Sequence, residues 1–136
     1  MRKLLFAVLV ALFFYGCGGD GSETSSSSLT VSGTWTGTAT SSLSGAFINI
    51  SLTLSQSGSN ISGTLTCSNG TASCTHSSGS ISGTISGSAL TMGITWSDTD
   101  SCGTFNATVS GNSMSGQYSC TDPLGNDQGS WSVNRQ

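Results

Sequence analysis

A chain of 136 residues, of which only 7% are charged and 19 are glycine, has room for one small domain and an unusually uncharged surface. From Cys17 onward six carboxylates (Asp20, Glu23, Asp98, Asp100, Asp122 and Asp127) face a single arginine, Arg135, for a formal side-chain charge of −5. Nucleic acid, anionic membrane surfaces and acidic substrates all call for clustered Lys and Arg, so nucleic acid is excluded and the other two are disfavoured.

Met1-Arg-Lys makes a short basic start, and Leu4–Tyr15 is an unbroken apolar run of 12 residues. A bilayer span needs ~20. Gly16-Cys17-Gly18-Gly19 follows at once. This stretch resembles a bacterial lipoprotein signal peptide, in which a small residue precedes the cysteine that is acylated. Gly16-Cys17 carries the match, and Phe14-Tyr15 departs from the usual Leu and small residue. The resemblance implies a signal peptide over 1–16 and a lipid, palmitate included, on Cys17. With Gly18 rather than Asp next, it also implies anchoring to the outer membrane, on its periplasmic or cell-surface face. Residues 17–28 are then the lipidated cysteine and a Ser-rich flexible tether, with nothing apolar from Asp20 to Ser28 to bury.

Residues 29–136 read as one β domain. In Val31–Thr40 the odd positions (Val31, Gly33, Trp35, Gly37, Ala39) are apolar or glycine and the even ones are Ser or Thr. Such a period of two describes a strand with one buried and one wet face. Ala46–Gln56 places Ile48, Ile50, Leu52 and Leu54 on one face. A two-residue turn at Gly58-Ser59 pairs Leu54 with Gly63 and Leu52 with Leu65, bringing both apolar faces to the same side. Gly87-Ser88 likewise pairs Ile85 with Leu90 and Gly83 with Met92. Gly111-Asn112 pairs Val109 with Met114 and Phe105 with Tyr118. An eighth strand, Gln128–Asn134, carries Gly129, Trp131 and Val133 inward.

Eight strands joined locally predict an all-β fold, an antiparallel up-and-down barrel, with a β-sandwich as the alternative. A membrane barrel is excluded, because the face without aliphatics is Thr34, Thr36, Thr38, Ser51, Thr53 and their like, where lipid demands apolar residues. Alternating strand direction sends three tight turns to one end and four longer connections to the other. Gly33-Thr34-Trp35 resembles the G-x-W signature of lipocalin-like (calycin) barrels, which avidin-like barrels share. In those families a basic residue late in the last strand lies across the tryptophan and closes one end. The resemblance implies that role for Arg135 over Trp35, although this barrel is shorter and lacks the lipocalin helix.

The four cysteines past Cys17 allow three pairings, and export favours oxidation. Cys67–Cys74 and Cys102–Cys120 are the expected bridges. The register puts Cys120 opposite Gly103, so the second bridge requires a bulge. A zinc site from Cys67, Cys74 and His76 has poor ligand spacing. Asp98, Asp100, Asp122 and Asp127 form a weak calcium option with no EF-hand spacing.

No catalysis is expected: there is one histidine, no lysine beyond Lys3, and no G-x-S-x-G elbow. No cofactor is implied. Two functions follow. One is a tethered structural or protein-interaction module that meets an envelope protein. The alternative to it is a binder of a small, partly apolar ligand through Trp96, Phe105, Tyr118 and Trp131. The inward glycines (Gly33, Gly37, Gly63, Gly83, Gly103, Gly116, Gly129) remove side-chain volume, which either leaves a pocket or makes room for the rings.

Overall fold

The computed structural model describes residues 29–97, 101–122 and 125–136. The expected signal peptide, Cys17, the expected tether, Asp98 and Asp100 lie outside them. Eight strands run in order: β1 Gly33–Ser41, β2 Phe47–Ser57, β3 Asn60–Asn69, β4 Ser78–Ser86, β5 Ala89–Trp96, β6 Ser101–Ser110, β7 Ser113–Asp122 and β8 Gly125–Arg135. Each pairs antiparallel with its neighbours in sequence, and β1 pairs with β8 from Trp35↔Arg135 to Ser41↔Gly129. The sheet is therefore a closed barrel and not a sandwich. Closure leaves no strand edge unpaired.

The hairpin registers follow from the alternation. Leu54 lies opposite Gly63, Ile85 opposite Leu90 and Val109 opposite Met114, as does Phe105 opposite Tyr118. Gly58, Gly87 and Gly111 open the three tight turns with φ of 58–59°, a conformation that costs glycine nothing. The turns are also tied sideways. Ile85 N donates to Ser59 O, Val109 N to Ser88 O and Arg135 N to Asn112 O, each at 2.8 Å. Aliphatic and aromatic side chains fill the barrel axis, with Trp35, Leu52, Leu65, Leu90, Met92, Ile94 and Met114 essentially without exposure. Outward positions such as Thr34, Thr53, Thr64 and Thr95 are exposed hydroxyls.

Three departures from the alternation have local causes. The strand expected from Val31 begins at Gly33, whose φ of 129° turns the backbone, so residues 29–32 leave the sheet and fold over its end. Val31 nonetheless has no exposure, because it serves as a stopper for the barrel rather than as part of its wall. In β6 the pairing runs Met92↔Phe105 and then Ile94↔Cys102, three residues against two, which is a bulge. The extra residue turns Gly103 outward, against its expected inward phase, and brings Cys102 into the core.

The inward glycines do something other than vacate space. A Cβ on Gly37 would run into the carbonyl of Ser132. On Gly63 it would meet that of Thr53, on Gly83 that of Thr91, on Gly116 that of Asn106, and on Gly129 that of Thr40. At each of these points the neighbouring backbone occupies the side-chain direction, as happens where strongly coiled strands bend around a narrow barrel.

Candidate functional site

The two ends of the barrel differ. At the tight-turn end Trp35 is fully buried and its Nε1 donates to Val31 O at 2.9 Å. The Arg135 guanidinium lies over the Trp35 ring, 4.3 Å from its centroid. Its two terminal nitrogens donate to Ser32 O and Thr30 O, each at 2.5 Å. Gly33 makes this possible, since a Cβ there would stand 3.0 Å from the Arg135 nitrogen. Gln56 adds a clasp from the side, its Oε1 accepting from Val31 N and its backbone N donating to Ser32 Oγ. This end is sealed.

The opposite end holds a pocket of ≈ 200 Å³. Its wall is largely carbon: Ala39, Ile48, Ile50, Leu65, Trp96, Phe105 and Tyr118, with both cystines at the rim. Phe105 and Tyr118 stack with centroids 5.4 Å apart. Trp131 does not line the pocket; it packs beneath, tilted against Phe105 at 5.8 Å. The Trp131 Nε1 has no hydrogen-bond partner among the described residues. Trp96, Phe105 and Tyr118 are therefore brought together at the mouth, and Trp131 lies one layer below them.

Residues 70–77 form a flap beside this pocket, held down at several points. Cys67 and Cys74 are bridged, with Cα atoms 6.1 Å apart. Ala72 N donates to Phe47 O at 2.9 Å, Phe47 N to Thr71 Oγ1 at 3.0 Å, and Cys74 N to Asn69 Oδ1 at 2.9 Å. At the far edge the His76 ring stacks on Trp96, 5.1 Å between centroids and 17° between planes. The zinc alternative fails here, because Cys67 and Cys74 are joined in the bridge and neither leaves a thiolate to bind a metal. Cys102–Cys120, with Cα atoms 4.2 Å apart, closes the wall opposite.

Polar groups in the pocket centre on Asp127. Its Oδ1 accepts from Ser41 Oγ at 2.7 Å and its Oδ2 from the Tyr118 hydroxyl at 2.8 Å. Burial first, then the hydrogen bond to Asp127 and its charge, hold the Tyr118 phenol well above its ordinary pKa of 10.0. Ser41 is fixed in turn, its Oγ accepting from the backbone N of Leu43 and Ser44. Of the four acids in the calcium option, Asp98 and Asp100 lie outside the described residues, as does the side chain of Asp122. Among the described residues no group of three or more His, Cys, Asp or Glu is placed to hold a metal ion.

The sequence pattern assigns Asp127 only to the weak calcium option and assigns Ser41 no role. The signal was present: Asp127 continues the odd, inward phase of Gly129, Trp131, Val133 and Arg135, because β8 begins at Gly125 rather than at Gln128. Comparison with known proteins returns no matching family model, no matching curated protein and no matching solved structure.

Proposed function

We propose that this chain is an exported, lipid-anchored envelope protein whose barrel is a non-catalytic binder of a small, partly apolar ligand. The observation that carries the reading is the mouth pocket, a concave, carbon-lined space with a few convergent polar groups at one end of a rigid wall. Gly33-Thr34-Trp35 and the Arg135 guanidinium across that ring support a place among small lipocalin-like barrels. Ser41 donates directly to Asp127, so this pair is not the nucleophile and acid of a Ser–His–Asp triad. The anchoring proposal rests on Gly16-Cys17 and the apolar run before it, and Gly18 rather than Asp after the cysteine supports the outer membrane as the destination.

A second reading, docking onto an envelope protein, is favoured by Leu43. It is 69% exposed on the connection between β1 and β2, at the mouth end. Thermal shift and Trp fluorescence with small aromatic molecules separate the two readings. Saturable stabilisation supports the ligand reading, and a flat response across the series removes it in favour of docking. Cys17→Ala tests the anchor: the protein should leave the membrane fraction and lose palmitate labelling, and retention of both would refute lipidation at this residue.

A further inference from the structure

The mouth pocket carries one step more, which rests on the small-ligand reading above. Asp127 is a half-buried carboxylate in a wall made mostly of rings and aliphatic carbon. Its two hydrogen-bond donors, Ser41 and Tyr118, are neutral hydroxyls. A carboxylate has about four lone-pair sites, so two such bonds fix its orientation without neutralising it. The sequence has no lysine beyond Lys3, and Arg135 is engaged at the sealed end. Among the described residues the other titratable groups lining the pocket are Tyr118 and His76, the latter stacked on Trp96. A negative charge drawn partly out of water favours whatever supplies the opposite charge at close range. Aromatic rings attract the same sign.

We propose that the pocket selects small organic monocations, an ammonium group on an apolar or aromatic body, with Asp127 as counter-ion beside Trp96, Phe105 and Tyr118. Size follows from volume. A cavity of about 150 Å³ takes up benzene, so ≈ 200 Å³ admits one ring with a short substituent. A larger molecule enters by its ammonium head. An anion of the same size would meet Asp127 as a like charge, and a neutral ring would shield the carboxylate from water without replacing the lost solvation.

The test uses the full chain as the cell processes it, titrated with benzylammonium, benzyl alcohol and benzoate, three molecules of closely similar size and different charge. Calorimetry and Trp fluorescence should give benzylammonium an affinity about tenfold above benzyl alcohol, with benzoate weakest. Added salt should narrow that gap. Asp127→Asn keeps an acceptor for one hydroxyl, offers an N–H to the other, and should bring benzylammonium down to the level of benzyl alcohol. Equal binding of all three, tighter benzoate, or a preference that survives in Asp127→Asn overturns the cation inference and leaves the small-ligand reading standing. If none of the three binds, the small-ligand reading falls and the inference with it. Should Asp127→Asn fail to fold, the charge series and its salt dependence on the unaltered protein decide alone.

Discussion

Arg135 is the residue on which the sealed end turns. It covers the Trp35 ring and gathers the carbonyls of Thr30 and Ser32, so one side chain joins the last strand to the segment that stoppers the first. Arg135→Ala should lower stability by about 2 kcal/mol, the sum of a cation–π contact and hydrogen bonds from a charged donor in a partly wet site. Trp35 emission should move to longer wavelength as water reaches the ring. Arg135→Lys should recover little, since an ammonium cannot span both carbonyls while lying flat on the indole. Urea unfolding followed by Trp fluorescence reads all three, and unchanged emission and stability in the alanine variant would make Gly33-Thr34-Trp35 a superficial likeness. Tyr118 makes a second prediction, in pH. The folded phenol holds its proton above the ordinary value of 10.0, whereas the unfolded phenol releases it there. The contribution is therefore intact below pH 10.0 and is lost as pH rises beyond it, because only the unfolded state gains from ionisation. Tyr118→Phe should flatten that alkaline decline, measured as the urea midpoint on either side of pH 10.0.

Strands tell why some positions could be read in advance and others could not. Alternation of hydroxyl and apolar residues forces one register on each hairpin, because a slip by one residue would turn every aliphatic outward. That is why Leu52↔Leu65 and Gly83↔Met92 were legible from spacing alone. Backbone geometry without a side-chain pattern was not. Nothing in Ser32-Gly33 marks a φ of 129°, and the bulge in β6 was visible only as a mismatch between Cys102 and Cys120. The glycines misled for a related reason. Sequence shows the missing side chain but not the carbonyl of the adjacent strand that fills its place. Gly116→Ala, which would drive a methyl into the Asn106 carbonyl, should cost about 3 kcal/mol, the upper range for overpacking. Gly93→Ala, whose nearest atom would be 3.7 Å away, should change stability by less than about 0.5 kcal/mol. Thermal unfolding of the two variants side by side checks the contrast; equal losses would mean that close backbone approach does not explain the glycine at position 116.

At the scale of the molecule the barrel is polar in the directional sense, with one end stoppered and clasped and the other open and braced by two cystines. The braces should differ in what they support. Loop-closure entropy gives about 3 kcal/mol for a bridge spanning 18 residues and somewhat less for one spanning 7. Replacing Cys102 and Cys120 together by alanine should therefore cost more in unfolding free energy. Replacing Cys67 and Cys74 should cost less, yet weaken whatever the pocket binds, since it frees the flap that carries His76 against Trp96. Denaturant titration and ligand titration of the two double variants separate these effects. The stopper has a further consequence. The described chain starts at Leu29 and passes through Thr30 and Ser32 beneath Arg135, so it enters the barrel at the sealed pole. Were the proposed anchor at Cys17 to hold the chain, a pull from that side would load the Arg135 clasp before it reached the pocket at the far end.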